Sequence, residues 1–163
     1  MPDGLTMTLE VRARGGGPGR DAAVAFDRIE DGVERAAARA LAVTGQVLVG
    51  RYQEKISTGQ RSGRVYRRGK SGRHQASAPG ELPKSDSGEL VSHFAAKPVT
   101  IEAGGLGIEV INDAPHAVHV EYKDEGAGGR PFMRRIPLES EDLLATVYSN
   151  ELAANLRREA RDG

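Results

Sequence analysis

His116, His119 and Glu121 stand close together and carry donor types that bind a divalent metal. On a helix the two imidazoles would share a face, on a strand they would oppose each other, and the stretch His116 to Tyr122 reads either way. His74 and His93 fall in other elements, and no second ligand cluster accompanies the trio, so no metal site is expected. A small hydrolase centred on these three residues is the enzymatic alternative, which metal analysis of the purified protein would decide. Gly69-Lys70-Ser71 invites a phosphate-loop reading. That loop needs glycine five residues before Gly69, where Arg64 stands; Gly63 is one position out of register and no apolar strand precedes it. There is no cysteine and no Gly-x-Ser-x-Gly elbow, and Glu141 and Asp142 are accounted for as first-turn acids of a helix. No catalytic residue and no cofactor is expected.

What remains is concentrated positive charge. From position 51 to 73 stand Arg51, Lys55, Arg61, Arg64, Arg67, Arg68, Lys70 and Arg73 against one acid, Glu54. The whole chain has a formal net charge of +0, so the remainder is acidic in compensation. Residues 57–84 read as an extended basic loop, punctuated by Gly and Ser. The contacts to a partner or to DNA are expected from Arg61, Arg64, Tyr66, Arg67, Arg68, Lys70 and Arg73. Such cations displace counterions from phosphates without reading sequence, and Tyr66 could stack on a base, although one aromatic is too few for a single-strand platform. The same charges can dock on an acidic protein or stay solvated. Zero net charge weighs against a free, non-specific nucleic-acid-binding module, the alternative reading, and a solvated loop or protein docking is preferred.

The elements that carry this loop are α+β in kind. Leu5, Met7, Leu9 and Val11 alternate with Thr6, Thr8, Glu10 and Arg12, the pattern of a half-buried strand. A glycine-rich hinge follows, Gly15-Gly16-Gly17-Pro18-Gly19, so 1–19 forms an N-terminal strand and hinge. From Asp21 as N-cap to Lys55, Phe26, Ile29, Val33, Ala36, Ala40, Val43 and Val47 recur at helical spacing. One long helix is predicted, longer than a small core needs, which points either to contacts with neighbouring copies or to a frayed end; Gly45 is a candidate bend. Asp86 with Glu89 resembles a capping box opening a short middle helix anchored by Leu90, Val91 and Phe94 and ended by Pro98. Residues 99–111 read as a β-hairpin turning at Gly104-Gly105. After a polar Gly-rich loop, 124–130, Pro131-Phe132-Met133 returns to the core. Ser140 is expected to cap a C-terminal helix with the stripe Leu144, Tyr148, Leu152 and Leu156.

A chain of 163 residues, with 38% hydrophobic and 4% aromatic content, is expected to form a single domain, 1–163, around a small aliphatic core. No apolar run is long enough to span a bilayer, and no secretory signal is recognised at the N-terminus, so action in the compartment of synthesis is expected, with no membrane partner.

Ala78-Pro79-Gly80-Glu81-Leu82-Pro83-Lys84-Ser85-Asp86-Ser87-Gly88-Glu89-Leu90 resembles the signature of a siphophage morphogenesis family, the neck or tail-completion proteins that join head to tail. The family pattern is Ala-Pro-Gly-Glu-x-Pro, then Asp-Thr/Ser-Gly-x-Leu. Gly63 to Gly69 and His74 to Ser77 are similar to its lead-in. Asn112-Asp113-Ala114-Pro115-His116-Ala117 and Glu121-Tyr122 stand where it carries Asn-x-x-x-Tyr-Ala and Glu-Phe-Gly-Thr, and Gly129-Arg130-Pro131-Phe132-Met133 matches its Arg-Pro-Phe-Met box. The similarity runs from about 21 to 160, with His116 in place of tyrosine and Lys123-Asp124 in place of Gly-Thr. The resemblance implies structural roles for Pro79, Gly80, Pro83, Asp86, Gly88, Leu90, Arg130, Pro131 and Phe132. It implies a long N-terminal helix on a small curved antiparallel sheet, with a short middle helix and a C-terminal helix. It further implies a ring homo-oligomer, sixfold by expectation, at the head–tail junction of the virion, assembled in the host cytoplasm. Its partners would be neighbouring head-completion and tail-terminator or tail-tube proteins and packaged double-stranded DNA in the channel.

Overall fold

The computed structural model describes residues 5–11, 20–68, 72–84, 87–101, 105–123 and 129–162, with backbone alone for 5–11, 20–28, 68 and 162. The order is β1 (Leu5–Val11), α1 (Arg20–Thr58), β2 (Val65–Arg68), β3 (Gly72–Gln75), α2 (Glu89–Ser92), β4 (Phe94–Ile101), β5 (Gly105–Asn112), α3 (Ala117–Tyr122), α4 (Arg135–Leu138) and α5 (Glu141–Asp162). The class is α+β with two small antiparallel sheets. One has the order β1-β5-β4, the other is the ribbon β2-β3. The expected glycine hinge, the Asp21 cap, Phe26, the Arg68 side chain, Lys70, Asp86, Gly104 of the expected hairpin turn and the loop 124–128 lie outside the residues and side chains described.

Two compact units are distinguished, one of Met1–Met7, Leu48–Ala95 and Val110–Glu141, the other of Thr8–Val47, Ala96–Glu109 and Asp142–Gly163. In the first, Tyr52, Phe94 and Phe132 form an aromatic cluster. The Tyr52 and Phe94 rings stack at 4.6 Å, and Phe132 meets them edge-on at 6.5 and 6.0 Å. Such pairings add to what burial alone contributes. Ile56, Leu90, Val110, Ala117, Met133 and Ile136 are buried in the same unit. The Tyr52 hydroxyl donates to the Met133 carbonyl at 2.5 Å. Burial, and secondarily the Glu121 carboxylate, hold its phenol well above the ordinary value, so it remains a neutral donor.

In the second unit, Ala36, Ala40, Leu41, Ile108 and Leu144 are buried. Gly45 is where the helix comes close to the sheet: a Cβ there would stand 3.1 Å from Ala96 Cβ and from Ile108 Cγ2. Its role is close approach. Across β4 and β5, Lys97 Nζ pairs with Glu109 Oε2 at 2.6 Å. Arg35 and Arg39 of α1 both reach the Glu159 carboxylate of α5 at 2.8 Å.

Several local expectations change. The buried face of α1 includes Leu41, Thr44, Leu48, Tyr52 and Ile56, while Ile29, Val33 and Val43 are exposed. The buried row drifts around the helix, so the large side chains of its second half set the packed face. Glu89 opens α2, with Gly88 before it at φ 83° and the Ser87 hydroxyl accepting the Glu89 N–H at 3.3 Å. That helix is one turn long and does not run to Pro98, which lies inside β4. Because β4 is an edge strand, a residue without an N–H is tolerated there. Residues 117–122 are helical, which settles the ambiguous stretch. Ser140 precedes α5 but is buried, and its Oγ has no hydrogen-bond partner among the described residues, so the expected side-chain cap is not made.

Candidate functional site

The segment expected as an irregular loop contains the ribbon. Val65 pairs with Gln75, Tyr66 with His74, Arg67 with Arg73 and Arg68 with Gly72. Val65 and Tyr66 supply the β-branched and aromatic character that a strand favours. Two further bonds extend the ladder towards its root, Gly63 N–H to Ala76 O at 3.0 Å and Ala76 N–H to Arg64 O at 3.1 Å. Alternation puts Val65, Arg67, Arg73 and Gln75 on one face and Tyr66 with His74 on the other. Val65 and Tyr66 are 52% and 51% exposed, and the Arg64 guanidinium lies 5.6 Å from the Tyr66 ring centroid.

Directly opposed like charges oppose strand pairing, and here Arg67 faces Arg73. Among the described residues, Arg61, Arg67 and Arg73 have no carboxylate partner. The ribbon therefore presents guanidinium groups to solvent with their charge uncompensated.

Its root is fastened by polar groups of the Pro-Gly segment. The Glu81 carboxylate accepts from the Ser62 hydroxyl at 2.5 Å, the Ala78 N–H at 2.7 Å and the Ser62 N–H at 3.2 Å. These bonds, the Ser62 hydroxyl first, hold its pKa below the ordinary carboxylate value. Gly80, at φ 80°, makes the turn that brings Glu81 back to Ala78. Pro83 is buried. Ser77 O accepts from Arg130 at 2.6 Å, and Ser77 Oγ from the Lys84 N–H at 2.9 Å. Lys84 Nζ reaches Gly59 O at 3.1 Å, and Arg135 reaches Gly80 O at 2.9 Å. The Ala-Pro-Gly-Glu and Arg-Pro-Phe segments, about 50 residues apart in sequence, thus meet at the ribbon's root.

Glu121 fixes the backbone just after Arg130. Its buried Oε2 accepts the backbone N–H of Phe132 at 2.6 Å and of Met133 at 2.9 Å. A carboxylate committed in this way orders the backbone that carries Phe132. Its placement also bears on the metal alternative. His116 Nδ1 lies 3.6 Å from Glu89 Oε2 and His119 is exposed, and no grouping of three metal-ligating side chains occurs among the described residues. Leu90 is buried, and its carbonyl accepts from the buried Asn112 amide at 2.8 Å.

The anchoring roles of Glu81 and Glu121, and those of Ser62, Ser77 and Lys84, were not anticipated from the sequence. Glu81 stands inside a recognisable motif, but nothing in its spacing announces three donors converging from two segments. In the other unit, Asp31, Glu34, Arg35, Ala38 and Leu106 line an open cavity of about 260 Å3. No helix among the described residues is long and apolar enough to cross a membrane.

The profile of a family described as "Bacteriophage HK97-gp10, putative tail-component" matches residues 21–122. That span takes in α1, the ribbon, the Pro-Gly segment, α2, β4, β5 and α3; the Arg-Pro-Phe box lies beyond it. No curated protein and no solved structure matches the chain.

Proposed function

Because the chain belongs to the HK97-gp10-like family and is a tail-related structural protein of a phage virion, we propose that it works at the head–tail junction as a tail-completion or neck ring. In this reading copies pack head to tail into a closed ring, sixfold by expectation, that connects head to tail around the DNA channel. Its partners are its own copies, the neighbouring head-completion and tail-terminator or tail-tube proteins, and the packaged double-stranded DNA. Its work is mechanical and electrostatic: bind, order, seal and guide. No turnover is required of it.

The family match over residues 21–122 carries this reading. The anchored ribbon with uncompensated arginines supports it, since such a projection needs an anionic surface brought by something else. A phage lacking the gene should accumulate unjoined heads and tails, restored by the gene in trans. Joined, infectious particles from the deletion strain would remove the proposal.

The exposed cations also favour a second reading, a non-specific nucleic-acid-binding module acting through Arg61, Arg64, Arg67 and Arg73. It requires the isolated chain to shift duplex DNA at low salt and to lose that affinity steeply as salt rises. No shift at low salt would exclude it.

A further inference from the structure

Among the described side chains of α1, the apolar row is uncovered at Ile29 and Val33. Ile29 and Val33 continue the row of the fully buried Ala36 and Ala40, yet they are 62% and 37% exposed. Next to them around the helix are Glu30 and Glu34, both exposed and without a cation partner among the described residues. The nearby Arg35 and Arg39 are committed to Glu159. This face is therefore an aliphatic pair with two available carboxylates alongside.

The ribbon carries the complementary set. Val65, Arg67 and Arg73 share one face, an exposed aliphatic side chain beside two guanidinium groups that repel each other. A two-stranded ribbon is only marginally stable without cover, and a phosphate backbone would satisfy its charges while leaving Val65 wet. A surface mixing Ile29 and Val33 with Glu30 and Glu34 answers both needs, with guanidinium–carboxylate pairs at the rim of a small apolar contact.

We infer that the exposed stretch of α1 at Ile29, Glu30, Val33 and Glu34 is the seat of the β2–β3 ribbon of a neighbouring copy. The inference rests on the ring reading above and names the two surfaces that would meet. Such a contact is heterologous: each copy uses its ribbon on one neighbour and the 29–34 stretch of its helix on the other. The formal net charge of +0 suits a chain whose positive and negative surfaces answer each other.

The test uses two variants of the full chain, R67E/R73E and E30R/E34R, followed by sedimentation velocity. Every altered position is exposed, so folding should persist. Wild type should associate, and each variant alone should associate roughly tenfold or more weakly, because like charges then meet. Mixing the two variants should restore association, since each ribbon now finds an opposite charge, and that rescue also shows both are folded. As the chain has no cysteine, V65C and I29C in one chain should give intermolecular disulfide-linked ladders, and either alone should not. Wild-type association that neither variant weakens would overturn this docking site and leave the ring reading standing. A wild type that stays monomeric at every concentration would count against both. Loss of duplex-DNA binding in R67E/R73E, with association intact in both variants, would assign the ribbon to nucleic acid and overturn the inference.

Discussion

Glu81 and Glu121 are two carboxylates with different environments and the same task, fixing backbone that has no regular partner. Glu121 is buried and takes the N–H groups of Phe132 and Met133. Glu121→Ala should orphan both donors and cost about 3 kcal/mol in urea unfolding, at the customary 1–3 kcal/mol for each buried group left unpaired. Glu81 is held below its ordinary value of 4.5 by the Ser62 hydroxyl and the Ala78 N–H. A depressed carboxylate adds stability that is fully present above its unfolded value and is lost as pH falls through its folded value. Wild type should therefore melt higher than Glu81→Gln at neutral pH, and the gap should close as pH drops below 4.5. A gap that persists at low pH would show that the latch does not depend on ionisation. The sequence displays Glu81 in a motif but not its partners, because Ser62 lies 19 residues away and its approach depends on the turn at Gly80.

At the scale of elements, periodicity is a good guide wherever an element has one buried face. The long helix, the hairpin of β4 and β5 and the final helix follow from it, as does the return of Phe132 and Met133 to the core. It fails at the ribbon. Arg67 and Arg73 oppose each other there, each face sets one apolar or aromatic side chain among polar ones, and no alternation of apolar residues marks the strands. What defines the ribbon is its root, and Gly63 shows how tightly. A Cβ at this position would lie 2.5 Å from Ser77 O and 2.8 Å from Ala76 O, both rigid backbone. Gly63→Ala should therefore open the root selectively. Amide exchange across residues 65–68 and 72–75 should accelerate markedly while the aromatic cluster around Tyr52 keeps its protection. Unchanged exchange in the ribbon would mean that the root does not hold it. The middle helix is also shorter than its motif suggests, because Gly88 and Phe94 confine it to a single turn.

For the whole molecule, equal numbers of acids and bases conceal a strongly uneven placement. The basic segment is legible as charge from composition alone, and its reach toward partners is inferred from that charge. Which carboxylates stay available is not legible, since it depends on α5 bringing Glu159 to Arg35 and Arg39 and leaving Glu30 and Glu34 unpaired among the described residues. If uncompensated surface charge drives assembly, raising salt from about 0.1 M to 1 M, which shortens the screening length from roughly 10 Å to 3 Å, should weaken self-association of the full chain measured by light scattering. Association that strengthens with salt would instead identify apolar contact as the main driving force. The place of the protein in the particle can be read by electron microscopy of virions carrying a gold-labelled copy. The label should sit in a single collar where the head meets the tail. Label spread along the tail tube, over the capsid, or missing from purified virions would contradict a junction ring.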